Sequence, residues 1–180
     1  MKKLVFIFSL CSLISIGAFA QQRSHASYNN TVGTDYNTAL GVRFNPFMIG
    51  FTVKHFIEGP HAVEGLITTA VNRNANVTFT GLYEYNLKIV PDQPEWTLFF
   101  GGGVHFGVYD RYDFDYDRYF HHGDGSYVTG GIDGIIGVSY TFKKLPINVS
   151  ADLKPYVNFD GPTHYMAEQM GGISARYTFK

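Results

Sequence analysis

Residues 127–142, YVTGGIDGIIGVSYTF, constrain the fold of this chain more than any other stretch. Alternate positions separate into two sets. Val128, Gly130, Ile132, Gly134, Ile136, Val138, Tyr140 and Phe142 are apolar or glycine. Thr129, Gly131, Asp133, Ile135, Gly137, Ser139 and Thr141 are mostly small and polar. Successive side chains of an extended chain face opposite sides, so the stretch reads as a strand with one apolar and one polar face. It is longer than the usual ~5–6 residues and long enough for a tilted membrane-crossing strand of ~9–11. Its apolar face must meet something apolar, and Asp133 must lie on the other side.

The same alternation recurs in seven more stretches. Residues 37–44 set Leu40, Val42 and Phe44 against Arg43, and residues 47–56 set Ile49, Phe51 and Val53 against Lys54. Residues 62–71 and 77–87 carry Glu64 and Glu84 on their polar faces. Residues 96–110 carry His105 among glycines, and residues 147–159 carry Asp152 and Lys154. Residues 171–179 carry Arg176 opposite Ile173, Tyr177 and Phe179. Turn chemistry separates them: Asn45-Pro46, Glu58-Gly59-Pro60, the run 72–76 and the tight connection 143–146. Residues 88–95 read as a loop, 111–126 as the longest loop and 160–170 as another. Pro155 is the misfit. It falls on the apolar face of 147–159 and removes a ladder donor, so that strand either bulges there or has already left the membrane.

The first twenty residues have Lys2 and Lys3, an apolar run and Ala18-Phe19-Ala20, the pattern of a secretory signal peptide cleaved before Gln21. The one cysteine, Cys11, lies inside it, so the mature chain carries no disulfide. Residues 21–36 read as a flexible periplasmic leader, and 37–180 as one domain. The net charge of −1 argues against a nucleic-acid partner. Mean hydropathy is −0.07, and no run of ~18 apolar residues follows the signal. Alternating transmembrane strands escape a hydropathy scan in this way.

The expected fold is all-β: an eight-stranded antiparallel up-and-down transmembrane β-barrel. A secreted soluble β-sandwich binding module also alternates and is the competing architecture. The even strand count, the long strands and the two longest loops on one side favour the barrel. A chain entering from the periplasm places the turns at 59, 88–95 and 143–146 on the periplasmic side. Tyr85, Trp96, Tyr140, Phe142, Tyr177 and Phe179 then form a periplasmic aromatic girdle. The polar faces carry four bases, Arg43, Lys54, Lys154 and Arg176, and four acids, Glu64, Glu84, Asp133 and Asp152. An eight-stranded barrel is only just filled by side chains, and unpaired buried charge is costly. These eight are therefore expected to form an interior charge network, with Lys54 and Glu64 as cross-strand neighbours about Gly59.

The signal peptide, the eight alternating stretches and the ending Ala175-Arg176-Tyr177-Thr178-Phe179 resemble the small outer-membrane barrels of the OmpA/OmpX type. The resemblance covers nearly the whole mature chain and departs at the last residue, where Lys180 follows the usual terminal aromatic. It implies location in the bacterial outer membrane. It also implies insertion by the outer-membrane assembly machinery, with a periplasmic chaperone in transit.

Chemistry is sparse. Some small barrels modify lipids, but a hydrolytic site needs a nucleophile and a base within hydrogen-bond reach. Ser139, Ser150 and Ser174 point inward, and His55 and His61 lie far from any serine. No catalytic residue is assigned and no cofactor is expected; a lipid acyltransferase or hydrolase is the competing class. The metal candidate is Asp113, Asp115, Asp117 and Asp124, spaced like a calcium loop. Arg118 stands where such a loop needs glycine, so a strand pair continued past the membrane is the better reading. The adjacent His121 and His122 read as solvated loop. His105 and Asp133 read as network members rather than an ion path. The chain is expected to be a monomer among outer-membrane lipid, with a structural or surface-interaction role.

Overall fold

Nine strand segments form among the described residues of the computed structural model, which are 36–71, 76–90, 93–110, 126–159 and 170–180. They are β1 (Thr38–Phe44), β2 (Met48–Glu58), β3 (His61–Ala70), β4 (Val77–Val90), β5 (Gln93–Asp110), β6 (Ser126–Thr141), β7 (Ile147–Leu153), β8 (Tyr156–Asn158) and β9 (Gly171–Phe179). All neighbours are antiparallel. β1 pairs with β2 on one side and β9 on the other, and β9 returns through β7 to β6, so the sheet closes on itself. Closure leaves no second sheet among the described residues, which excludes a sandwich. The segments β7 and β8 both pair with β6, and they make one interrupted stave of a closed eight-strand barrel.

The interruption falls at Pro155. The pairs Ile136↔Leu153 and Asp133↔Tyr156 keep one register across it, so no residue is inserted and the strand does not bulge. The ladder is half kept. Gly134 N–H donates to Pro155 O at 2.8 Å, and Lys154 N–H donates to Met170 O at 2.6 Å. Only the bond that a proline nitrogen would have donated is missing. The ring itself faces outward, exposed. Residues 88–95 differ from the loop reading. β4 continues to Val90 and β5 starts at Gln93, so the hairpin is longer and its turn tighter.

Two other turns follow directly from their residues. The Asn45 side-chain oxygen accepts from the N–H groups of Phe47 at 2.9 Å and Met48 at 2.7 Å. It thereby supplies the acceptor that a backbone turn would use. Gly59, at φ 54°, occupies the left-handed region and lets β2 fold back on β3.

The faces are inverted relative to a soluble protein. Every inward charged residue of the eight is buried. Outward, Leu40, Val42, Phe51, Val53, Ile67 and Ile132 are exposed, Phe51 to 69 %. The strands approach closely on the inner wall at Gly41, where a Cβ would run into the carbonyl oxygen of Ala175 on β9. Gly81 faces outward with open space where its Cβ would be. Gly41→Ala should therefore destabilise the barrel by about 1–3 kcal/mol, as overpacking does, while Gly81→Ala should be near neutral. Urea midpoints of the two refolded variants check the contrast.

Candidate functional site

The lumen is where the chemistry of the chain collects. Its charged residues fall into two groups. The first is built by β2, β3, β4 and β9. Arg176 pairs with Glu64 and also donates to Thr52 Oγ1 at 3.0 Å, Ser150 Oγ at 2.7 Å and Asn148 Oδ1 at 3.4 Å. Thr52 donates to the same Glu64 oxygen. Lys54 pairs with Glu84 at 2.6 Å, donates to Asn86 Oδ1 at 2.9 Å and lies 4.4 Å from the centre of the Phe99 ring. Lys54 and Glu64 are indeed register partners, yet their side chains pair elsewhere. The Glu64 carboxylate is taken by the guanidinium of Arg176, reaching in from β9, and this leaves the Lys54 ammonium to Glu84.

The second group is built by β1, β5, β6 and the β7–β8 stave. Arg43 pairs with Asp152, and its guanidinium lies over Gly172, where a side chain would displace it. Asp133 receives two partners: Lys154 Nζ at 2.6 Å on one oxygen and His105 Nδ1 at 2.7 Å on the other. The second ring nitrogen of His105 meets Asn158 Oδ1 at 2.9 Å, and its ring sits edge-on to Tyr156 at 5.2 Å. Gly131 makes room for that imidazole, since a Cβ there would lie 2.6 Å from His105 Cε1. Both ring nitrogens are occupied and neither contact is a hydroxyl nucleophile. Ser139, Ser150 and Ser174 are buried on the inner face. The arrangement holds charge and fixes geometry. Hydroxyl–imidazole contacts occur outside it, near the β2–β3 turn, where Thr38 Oγ1 meets His55 Nδ1 at 2.8 Å and Tyr83 OH meets His61 Nδ1.

Two inner features carry no charge and were not singled out in the sequence. Leu66, Leu82, Phe99 and Ile135 form an apolar cluster inside the barrel. They occupy polar-face positions, so alternation alone could have located them. Tyr36, Ala39, Phe56 and Ala62 form a second cluster at the rim where the described chain begins, with Tyr36 edge-on to Phe56 at 5.5 Å. Tyr36 precedes β1, and burial pushes its phenol up to about 12. The unfolded chain releases this proton near ~10, so the folded state binds the extra proton. Stability should fall as pH rises from roughly 10 towards 12, with a slope set by that proton. Tyr36→Phe should remove this part of the alkaline loss, read by urea unfolding across that range.

At the same rim the outer face is aromatic. Trp96 meets Tyr140 at 4.9 Å, Tyr140 meets Phe142 at 4.9 Å, and Tyr177 meets Phe179 at 5.0 Å. Tyr85 lies well inside β4, which continues to Val90, and packs on His61 at 5.1 Å. The metal candidate Asp113, Asp115, Asp117 and Asp124 lies outside the described residues, as do His121, His122, the signal peptide and residues 21–35 of the leader.

These features define a class: a closed eight-stranded antiparallel barrel with a charged, buried lumen and an apolar outer wall. The same fold is seen in the crystal structure of the N-terminal β-barrel domain of Pseudomonas aeruginosa OprF. The two match with a TM-score of 0.58 at 13% sequence identity, over 79% of this chain and 94% of that one. The small-barrel fold implied by the OmpA/OmpX resemblance is thus the observed one. No protein-family model and no curated protein matches the chain.

Proposed function

We propose that this chain is an integral protein of the bacterial outer membrane. Its lumen is filled and polar, and its role is structural or surface-interacting, without catalysis. The observation that carries this is the inversion of faces. Buried charge lies inside and a continuous apolar wall lies outside. Soluble monomers rarely expose an apolar patch of more than a few hundred Å², whereas transmembrane barrels require an outer apolar band flanked by aromatic rings. The rings of Trp96, Tyr140, Phe142, Tyr177 and Phe179 supply one such edge, which this reading makes periplasmic. The partners are then lipid, the outer-membrane assembly machinery and a chaperone during transit, with the folded barrel a monomer. The interior ion pairs and the packed apolar residues support a lumen that does not conduct.

Membrane fractionation with gel migration tests the proposal. The protein is expected in the outer-membrane fraction, migrating differently before and after boiling. Recovery as a soluble periplasmic protein would overturn it.

A further inference from the structure

A concavity of about 750 Å³ opens at the periplasmic rim, between the 143–146 turn and the end of β9. It has two kinds of wall. Lys88, Lys143, Lys144 and Lys180 are among its lining residues. The exposed girdle residues Phe142, Tyr177 and Phe179 also line it. The one acidic side chain in the lining, Glu95, is buried and already paired with Lys143. Lys88, Lys144 and Lys180 are exposed and make no ion pair among the described residues. The site therefore carries uncompensated positive charge at the level where aromatic side chains mark a membrane interface.

We propose that this concavity binds the phosphate-bearing headgroup of an anionic phospholipid of the periplasmic leaflet. The inference rests on the outer-membrane reading above. The headgroup sits among the lysines, and the acyl chains pass down the outer face along Phe142, Tyr177 and Phe179. The amphipathic lining selects a lipid over a free anion, because an inorganic anion would leave the aromatic side of the site unused. Clustered lysines beside a bilayer attract anionic lipid additively, since each contributes separately near the surface. Backbone bonds hold the turn: Phe142 N–H donates to Ile147 O at 3.0 Å and Thr178 N–H donates to Pro146 O at 2.9 Å, so Lys143 and Lys144 project from a fixed backbone.

The test uses the full barrel refolded into phosphatidylcholine vesicles with and without phosphatidylglycerol. Lipids retained after gentle detergent extraction are counted by native mass spectrometry. The wild type is expected to retain phosphatidylglycerol in preference to phosphatidylcholine, and each of Lys88→Gln, Lys144→Gln and Lys180→Gln to lower that preference about fivefold. Boiling-dependent migration confirms that each variant is folded. Equal retention of both lipids by the wild type, or an undiminished preference in the triple variant, would overturn the proposal. Displacement of the lipid by millimolar inorganic phosphate would also overturn it, showing a free-anion site instead. Failure to insert into either vesicle would be a different result, because it removes the outer-membrane reading itself and this proposal with it.

Discussion

Arg176→Ala is expected to lower the unfolding free energy of the barrel by about 3–5 kcal/mol, the cost of leaving a buried charge without its partner. Arg176 is 2 % exposed and holds Glu64, Thr52, Ser150 and Asn148 together from β9. Its removal strands the Glu64 carboxylate inside a closed sheet, with only Thr52 and the Glu84 carboxyl group still hydrogen-bonded to it. The neighbouring Lys54 is committed to Glu84. The double variant Arg176→Met with Glu64→Leu should recover most of the loss, since replacing both members of a buried pair by apolar groups is often neutral. Urea unfolding of the refolded protein in lipid vesicles, followed by tryptophan fluorescence, measures both. A single variant as stable as wild type would show that water reaches the lumen and screens Glu64.

The second large effect lies on the opposite face. Val53 is the middle residue of the 11-residue β2 and is 42 % exposed on the outer wall. In a bilayer, Val53→Arg should cost about 2–4 kcal/mol, the depth-dependent penalty for a cation on the lipid face of a barrel. On a protein surrounded by water the same change should stay within about 0.5 kcal/mol, as surface substitutions usually do. The variant therefore separates the two environments. The expected result is a lower urea midpoint in vesicles and less protein in the outer-membrane fraction. An unchanged midpoint would mean that this face does not meet hydrocarbon.

Much of this could be read along the chain. Alternation places Arg43, Lys54, Glu64, Glu84, Asp133, Asp152, Lys154 and Arg176 on one face, because side-chain direction in a strand follows from position alone. It also locates the strands to within a few residues, apart from 88–95. There, the two prolines Pro91 and Pro94 favour a loop, while pairing with β5 carries β4 on to Val90. Pro155 illustrates a different limit. Its missing donor was visible, but a local reading could not show that β6 would keep the register across it. That depends on the Gly134 N–H still finding the Pro155 carbonyl.

The partnerships inside the lumen belong to the tertiary structure. Counting four bases and four acids does not say that Arg43 takes Asp152, or that Arg176 takes Glu64 while Lys54 turns to Glu84. Arg176 and Glu64 are far apart in the chain and lie on strands that do not pair, so only closure of the sheet brings them together. Closure likewise gathers the lysines of separate strands and turns on one rim. The period-2 pattern is a one-dimensional property and sets which face each residue serves. The curvature and stagger of the closed sheet are three-dimensional, and they alone decide which residues meet across it.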